Sequence, residues 1–210
     1  VIHTYSRDSE MEQTGQEGYP GWKGTNEQEG LFSIDIDGDG IEDIVGGGRW
    51  FKYDGQGGFI EHIIDASYTF TRSVAGQFIE GGRPEVILLA GDGTAPMYLY
   101  EYQEKGTWKK TMLIQRVVDG HSIDVLDFNG DGHLDIFSGE MGLGGGNPDA
   151  KIRIMLGDSK GHFIHHVVAT GIGTHESKIT DLDGDGDYDI LSKPYNWEAP
   201  RLDIFINETR

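Results

Sequence analysis

The stretch "DLDGDGDYDI", residues 181–190, carries an acidic residue at every second position, with glycines between them. Two other strings have nearly the same order, "DIDGDGIEDIV" from Asp35 and "DFNGDGHLDIF" from Asp127. Internal repeats spaced by about 40–55 residues are typical of β-propellers and solenoids, in which each repeat is one structural unit. The acidic strings therefore predict a repeat fold.

A fourth unit lies between the first two strings and lacks most of their acidic side chains. When "GQFIEGGRPEVIL" is aligned with the second string, Gln77 takes the place of Asp127 and Glu85 takes that of Asp135. The paired glycines and the apolar run that follows them are still present. We therefore count four repeats, starting near residues 31, 71, 121 and 175.

Short β-branched and aromatic segments surround each loop and are divided by Gly-rich turns, which predicts strands rather than helices. Four antiparallel strands per repeat are typical of a propeller blade. The prediction is an all-β fold, a single β-propeller domain over residues 1–210. Its four repeats form either a small closed ring or part of a larger propeller with further blades or another domain.

The last repeat has only three predicted strands before the chain ends. The N-terminal string "VIHTYS", residues 1–6, has the pattern of the missing fourth strand and is predicted to close that blade. Residues 7–30 are polar and rich in Glu and Gly, which predicts a long surface loop.

The charge of the chain restricts its partners. With 36 acidic and 17 basic residues the formal net charge is −19, which disfavours binding to nucleic acid or to anionic membranes and favours binding of cations. The longest aliphatic run, "VILLA" at residues 86–90, is too short to insert across a membrane.

The acidic strings follow the pattern D-x-[DN]-x-D-G-x-x-D. Oxygen atoms at loop positions 1, 3, 5, 7 and 9 suit calcium, which takes about 6–8 oxygen ligands in irregular geometry. An EF-hand is excluded because its Glu at position 12 is replaced here by Gly46, Ser138 or Ser192, and because strands flank the loops. The alternative is an Asp/Gly turn without metal.

From about residue 30 to the C-terminus, these strings resemble the FG-GAP/VCBS-type repeats of β-propellers, most closely those of secreted bacterial VCBS-repeat proteins. The resemblance implies an extracellular or periplasmic location and three calcium ions, with none at Gln77. The residues it assigns as calcium ligands are Asp35, Asp37, Asp39 and Asp43; Asp127, Asn129, Asp131 and Asp135; and Asp181, Asp183, Asp185 and Asp189.

The opposite ends of the predicted strands collect residues suited to sugar or uronate binding. Aromatic rings stack on sugar faces, and cationic side chains hold carboxylates. The residues that precede first strands or follow second strands, and that we predict to bind ligand, are Arg49, Trp50, Arg72, His121, Glu140, His175, Lys193, Tyr195 and Trp197. The alternative is structural: the histidines hydrogen-bond between blades and the tryptophans pack there.

Three function classes remain open at this stage. The first is a calcium-stabilised propeller that binds carbohydrate or polysaccharide, as a lectin or as a module of a secreted carbohydrate-active protein. The second is a polysaccharide lyase acting on uronate-containing glycans, with His121, His175, Arg72 and Tyr195 as candidate catalytic residues. The third is a protein-adhesion module.

Overall fold

The computed structural model describes residues 30–68, 71–195 and 200–208, in which fifteen strands form four antiparallel sheets in chain order. The first sheet contains β1 (Phe32–Ile34), β2 (Asp43–Gly46), β3 (Arg49–Tyr53) and β4 (Phe59–Ile63). The second contains β5 (Thr71–Gly76), β6 (Glu85–Ala90), β7 (Thr94–Tyr102) and β8 (Trp108–Val118). The third contains β9 (Ser122–Leu126), β10 (Asp135–Gly139), β11 (Lys151–Gly157) and β12 (Phe163–Thr170). The fourth contains β13 (Glu176–Thr180), β14 (Asp189–Lys193) and β15 (Asp203–Phe205).

This architecture confirms the predicted all-β, propeller-like fold. Each sheet is a meander whose strands pair with their neighbours in the chain, as in a propeller blade. The helical structure in the described residues is limited to two short 3-10 turns, Glu104–Gly106 and Leu143–Gly145. None of the helices in these ranges has the length and apolar character needed to cross a bilayer.

Consecutive sheets pack face to face, and alternate residues of β6 show how. Val86, Leu88 and Ala90 pack with residues of the first sheet. Ile87 and Leu89 point the other way and pack with residues of the third sheet. A strand buried on both faces has no polar side, which explains the uninterrupted "EVILLA" segment.

The first strands of the sheets are the inner strands. β5 contacts β1 on one side and β9 on the other, and β9 also contacts β13. The fourth strands are exposed instead: in β12 the side chains of Ile164 and Val167 are 68% and 55% exposed. The Asp-rich loops follow the first strands and so lie at one end of these inner strands. The starts of the first strands lie at the opposite end.

The last sheet ends at β15, whose only strand partner in the described ranges is β14. Ile204 in this strand is 55% exposed. The predicted closing strand, residues 1–6, and the predicted loop, residues 7–30, lie outside the described residues except for Gly30. Pairing of residues 1–6 with β15 is therefore kept as a proposal.

We expect deletion of residues 1–6 to lower the melting temperature far more than deletion of residues 8–20. A strand that pairs with β15 would satisfy its edge hydrogen bonds and cover its apolar side chains, whereas a polar surface loop contributes little. Thermal unfolding of the two deletion variants, followed by circular dichroism, makes the comparison. Equal melting temperatures would show that residues 1–6 do not close the last sheet.

Candidate metal-binding loops and ligand cavity

The first aspartate of each acidic loop organises the turn that follows it. Asp35 accepts hydrogen bonds from the amides of Gly38 (2.7 Å), Asp39 (3.1 Å) and Gly40 (2.7 Å). Asp127 accepts from residues 131 and 132, and Asp181 accepts from residues 184 and 186. These bonds satisfy backbone donors and offset part of the repulsion among the carboxylates.

The glycines of these loops are required by backbone conformation. Gly38 and Gly40 have φ angles of 77° and 86°, a region that other residues rarely adopt. A Cβ atom built on either glycine would meet no heavy atom within 4 Å, so steric space is not the reason. The positive φ angles allow the chain to curl so that alternate side chains point to one centre.

Two of the loops gather three carboxylates each, within 4.8 Å of one another: Asp35, Asp37 and Asp39, and Asp181, Asp183 and Asp185. In the loop that begins at Asp127, the middle residue is Asn129, so that loop offers two carboxylates and an amide oxygen. The Oδ1 atom of Asp37 is buried and has no hydrogen-bond partner. An oxygen-only donor set with an unsatisfied buried oxygen fits a hard divalent cation such as calcium.

The ninth residue of each loop is bonded to the backbone, and its predicted role as an ion ligand stays a prediction. Asp43, Asp135 and Asp189 are almost fully buried, with exposed fractions of 1%, 0% and 0%. Their carboxylates accept hydrogen bonds from the backbone amides of residues 36, 128 and 182, at the second position of the same loop. Asp135 also accepts from the amide of residue 157, the last residue of β11, and Asp189 accepts from the amide of residue 207, just after β15. These side chains fasten each loop to its sheet, and neither carboxylate triad includes them.

The non-acidic loop shows the same fastening without an acidic cluster. Glu85 accepts hydrogen bonds from the amides of Phe78 (2.9 Å) and Ile79 (3.0 Å), and burial raises its pKa to about 7. The side-chain amide of Gln77 donates to the carbonyl oxygens of Ile79 and Gly81 inside the loop. An amide donor occupies this loop, and the absence of an ion at Gln77 stays a prediction.

A cavity of about 240 Å³ lies among the first strands, at the end away from the acidic loops. Its lining includes Arg72 from β5, His121 and Ser122 at the start of β9, and Glu176 and Lys178 from β13. Side chains from three sheets therefore meet around one opening, together with the backbone that leads into β1.

Arg72, His121 and His175 are brought together as the sequence predicted. The Arg72 Nη2 atom lies 2.7 Å from Nδ1 of His121, and the rings of His121 and His175 stack with centroids 4.2 Å apart. The ring of Tyr195 contacts that of His175 at 4.8 Å. Glu176, which lies 3.9 Å from both Arg72 and His175, completes the group.

Two groups lie next to Nδ1 of His121. The Arg72 guanidinium can only donate to it, and the carbonyl oxygen of His175, 3.3 Å away, can only accept from it. Burial, followed by the nearby positive charge of Arg72, lowers the pKa of His121 to about 4. His121 is therefore a neutral hydrogen-bonding group at physiological pH.

Three predicted ligand residues lie elsewhere. Arg49 is fully buried and bonds to Glu61 and to the carbonyl of Gly47, and Trp50 is 4% exposed and stacks on His62. Glu140, 3% exposed, accepts hydrogen bonds from the amides of residues 118 and 151. None of the three lines the cavity, because strand ends alone do not reveal side-chain direction, and their role in ligand binding stays a prediction. Lys193 is exposed, and its backbone carbonyl pairs with His175. Trp197 lies outside the described residues.

Two cavity residues, Ser122 and Glu176, were not predicted from the sequence. Arg72, Ser122 and Glu176 occupy equivalent positions in the first strands of their sheets. Each lies four residues before the first-strand residue that pairs with the ninth loop residue. The residue of β5 that aligns with His121 and His175 is thus Thr71, and Arg72 lies inside the strand. This alignment was available from the repeats and would have identified both residues.

Comparison with known families supports the repeat. Residues 82–138 match the family model described as FG-GAP-like repeat. This segment is similar to an FG-GAP-like repeat. It begins at the end of the Gln77 loop and runs through β6–β10, so one FG-GAP-like repeat joins three strands of one sheet to the loop of the next. FG-GAP-like repeats are typical of extracellular proteins. A comparison with curated proteins found no match.

Proposed function

We propose that the chain is a calcium-stabilised β-propeller module that works outside the cytoplasm and binds carbohydrate in the cavity among its first strands. The observation that carries the proposal is the group formed by Arg72, His121, His175 and Glu176 with the ring of Tyr195. A guanidinium, imidazole nitrogens and a carboxylate are suited to sugar hydroxyls, and an aromatic ring is suited to a sugar face. Arg72 also favours a carboxylate-bearing sugar.

In this proposal calcium is a structural ion that stabilises the acidic loops. The residues that would hold it are those at loop positions 1, 3 and 5, namely Asp35, Asp37 and Asp39; Asp127, Asn129 and Asp131; and Asp181, Asp183 and Asp185. When bound, the ion supplies positive charge that offsets the clustered carboxylates. We propose three ions per chain.

A lyase is the weaker alternative. A general base works best when its pKa lies near the working pH. His121, with a pKa of about 4, is too weak a base for efficient proton abstraction at neutral pH. The FG-GAP-like repeat also fits an adhesion-type module, for which the partner would be a protein.

The test is binding of neutral and uronate-containing oligosaccharides, measured by calorimetry. His121→Ala combined with His175→Ala should weaken binding by at least about tenfold, because it removes one imidazole that lines the cavity and the second imidazole that stacks on it. Glu176→Gln, at a carboxyl group that is 52% exposed, tests the same cavity without a buried substitution. The matched control is His165→Ala with His166→Ala, an exposed pair in β12. Folded cavity variants that bind as tightly as the control would disprove the site.

A further inference from the structure

A lysine lies inside the first acidic loop. Lys52, from β3, places its Nζ atom against the Oδ2 atoms of Asp37 and Asp39. This contact raises the pKa of Lys52 and lowers that of Asp39. The ammonium group therefore bridges two of the three carboxylates that form the first triad.

The other acidic loops have no cation at the equivalent place. Phe51 pairs with Ile44, so Lys52 lies beside the ninth loop residue, Asp43. The equivalent position, opposite the ninth loop residue, is Leu156 beside the Asp127 loop and Ile206 beside the Asp181 loop. Within the part of the chain that the structure describes, Asp181 and Asp183 form no ion pair, in contrast to Asp37 and Asp39.

We propose that Lys52 is a tethered cation that competes with a divalent ion for the first acidic loop. The proposal rests on the proposed function, because it assumes that the loops bind calcium. An ion that binds between Asp35, Asp37 and Asp39 must displace the ammonium group and then tolerate it nearby, and both effects reduce affinity. The position equivalent to Lys52 beside the third acidic loop is Ile206, which carries no charge to compete with the ion.

A consequence follows for stability. Without calcium, Lys52 still offsets the repulsion between Asp37 and Asp39, so the first sheet keeps its loop in place. As calcium falls, the first loop therefore loses its ion without local unfolding.

The test substitutes the lysine and installs it elsewhere. Lys52→Met should raise the calcium affinity of one site by about tenfold or more, lower the melting temperature in chelator, and enlarge the stabilisation that calcium produces. Ile206→Lys, at a side chain that is 44% exposed, should do the reverse at the Asp181 loop by lowering its affinity. Lys109→Met is the matched control, since Lys109 pairs with Glu101 in the second sheet, away from the acidic loops.

Calorimetric titration with calcium chloride separates the outcomes. A weaker or unchanged first site in Lys52→Met, while the other loops still bind calcium, would overturn the role of Lys52 alone. Absence of calcium binding at every loop in all variants would overturn the proposed calcium function as well. If Lys52→Met loses stability to the same extent with and without calcium, Lys52 is only a packing residue and the inference is wrong.

Discussion

Asp135→Ala is expected to lower the free energy of unfolding by about 3–5 kcal/mol, with the same loss in calcium and in chelator. The Asp135 carboxylate is fully buried and accepts hydrogen bonds from the amides of Phe128 and Gly157, both at 2.8 Å. Its removal leaves two backbone donors without partners, and each buried donor left unsatisfied costs about 1–3 kcal/mol. Chemical denaturation in the two buffers measures the loss.

The comparison between buffers separates two roles for this residue. If Asp135 bound the ion, as its place in the sequence pattern predicts, the loss would shrink once chelator had removed the ion from the native protein. Asp149→Ala, at an exposed aspartate of the same sheet's connecting loop, is the control and should change stability by less than about 0.5 kcal/mol. A loss of stability that occurs only in the calcium buffer would show that Asp135 is a ligand of the ion.

Removal of calcium is expected to lower the melting temperature by about 5–10 °C or more. An ion present at a hundred times its dissociation constant stabilises the folded state by about 2.7 kcal/mol per site. In a domain of this size, each kcal/mol shifts the melting temperature by about 2–4 °C. The first loop should contribute least, because Lys52 still pairs with Asp37 and Asp39 when the ion is removed.

Differential scanning calorimetry with and without chelator measures this shift. Magnesium should restore less of it than calcium, because it demands a small octahedral site. The variant Asp181→Asn with Asp183→Asn should show a smaller calcium effect than the wild type. A melting curve that chelator leaves unchanged after prolonged dialysis would contradict calcium stabilisation.

The strand arrangement was predictable because the repeats are visible in the sequence. Gly-rich turns and β-branched runs mark β2, β6, β10 and β14, and the apolar run of β6 indicates a strand buried on both faces. The meeting of His121 with His175 was also predictable, since both precede a first strand in their repeats.

The role of single side chains was harder to predict, because it depends on burial and on pairing across strands. The carboxylate at the ninth loop position fits the ligand pattern, yet it lies at the start of a buried strand. In the sequence, its structural role is indicated only by Glu85, which retains a carboxylate at this position in a loop that has no acidic cluster. Glu140 lies at a strand end, but its carboxylate turns inward to backbone amides. Lys52 lies next to the first loop because of the way β3 pairs with β2, and no local sequence pattern reveals this pairing.

The central claim is that the acidic loops of this repeat fold hold calcium while the Gln77 loop does not. Native mass spectrometry of the folded protein in millimolar calcium counts the bound ions directly. The predicted result is three calcium ions per chain, falling to two when Asp181 and Asp183 are replaced by Asn and remaining three when Gln77 is replaced by Ala. A folded protein that carries no calcium under these conditions would contradict the account.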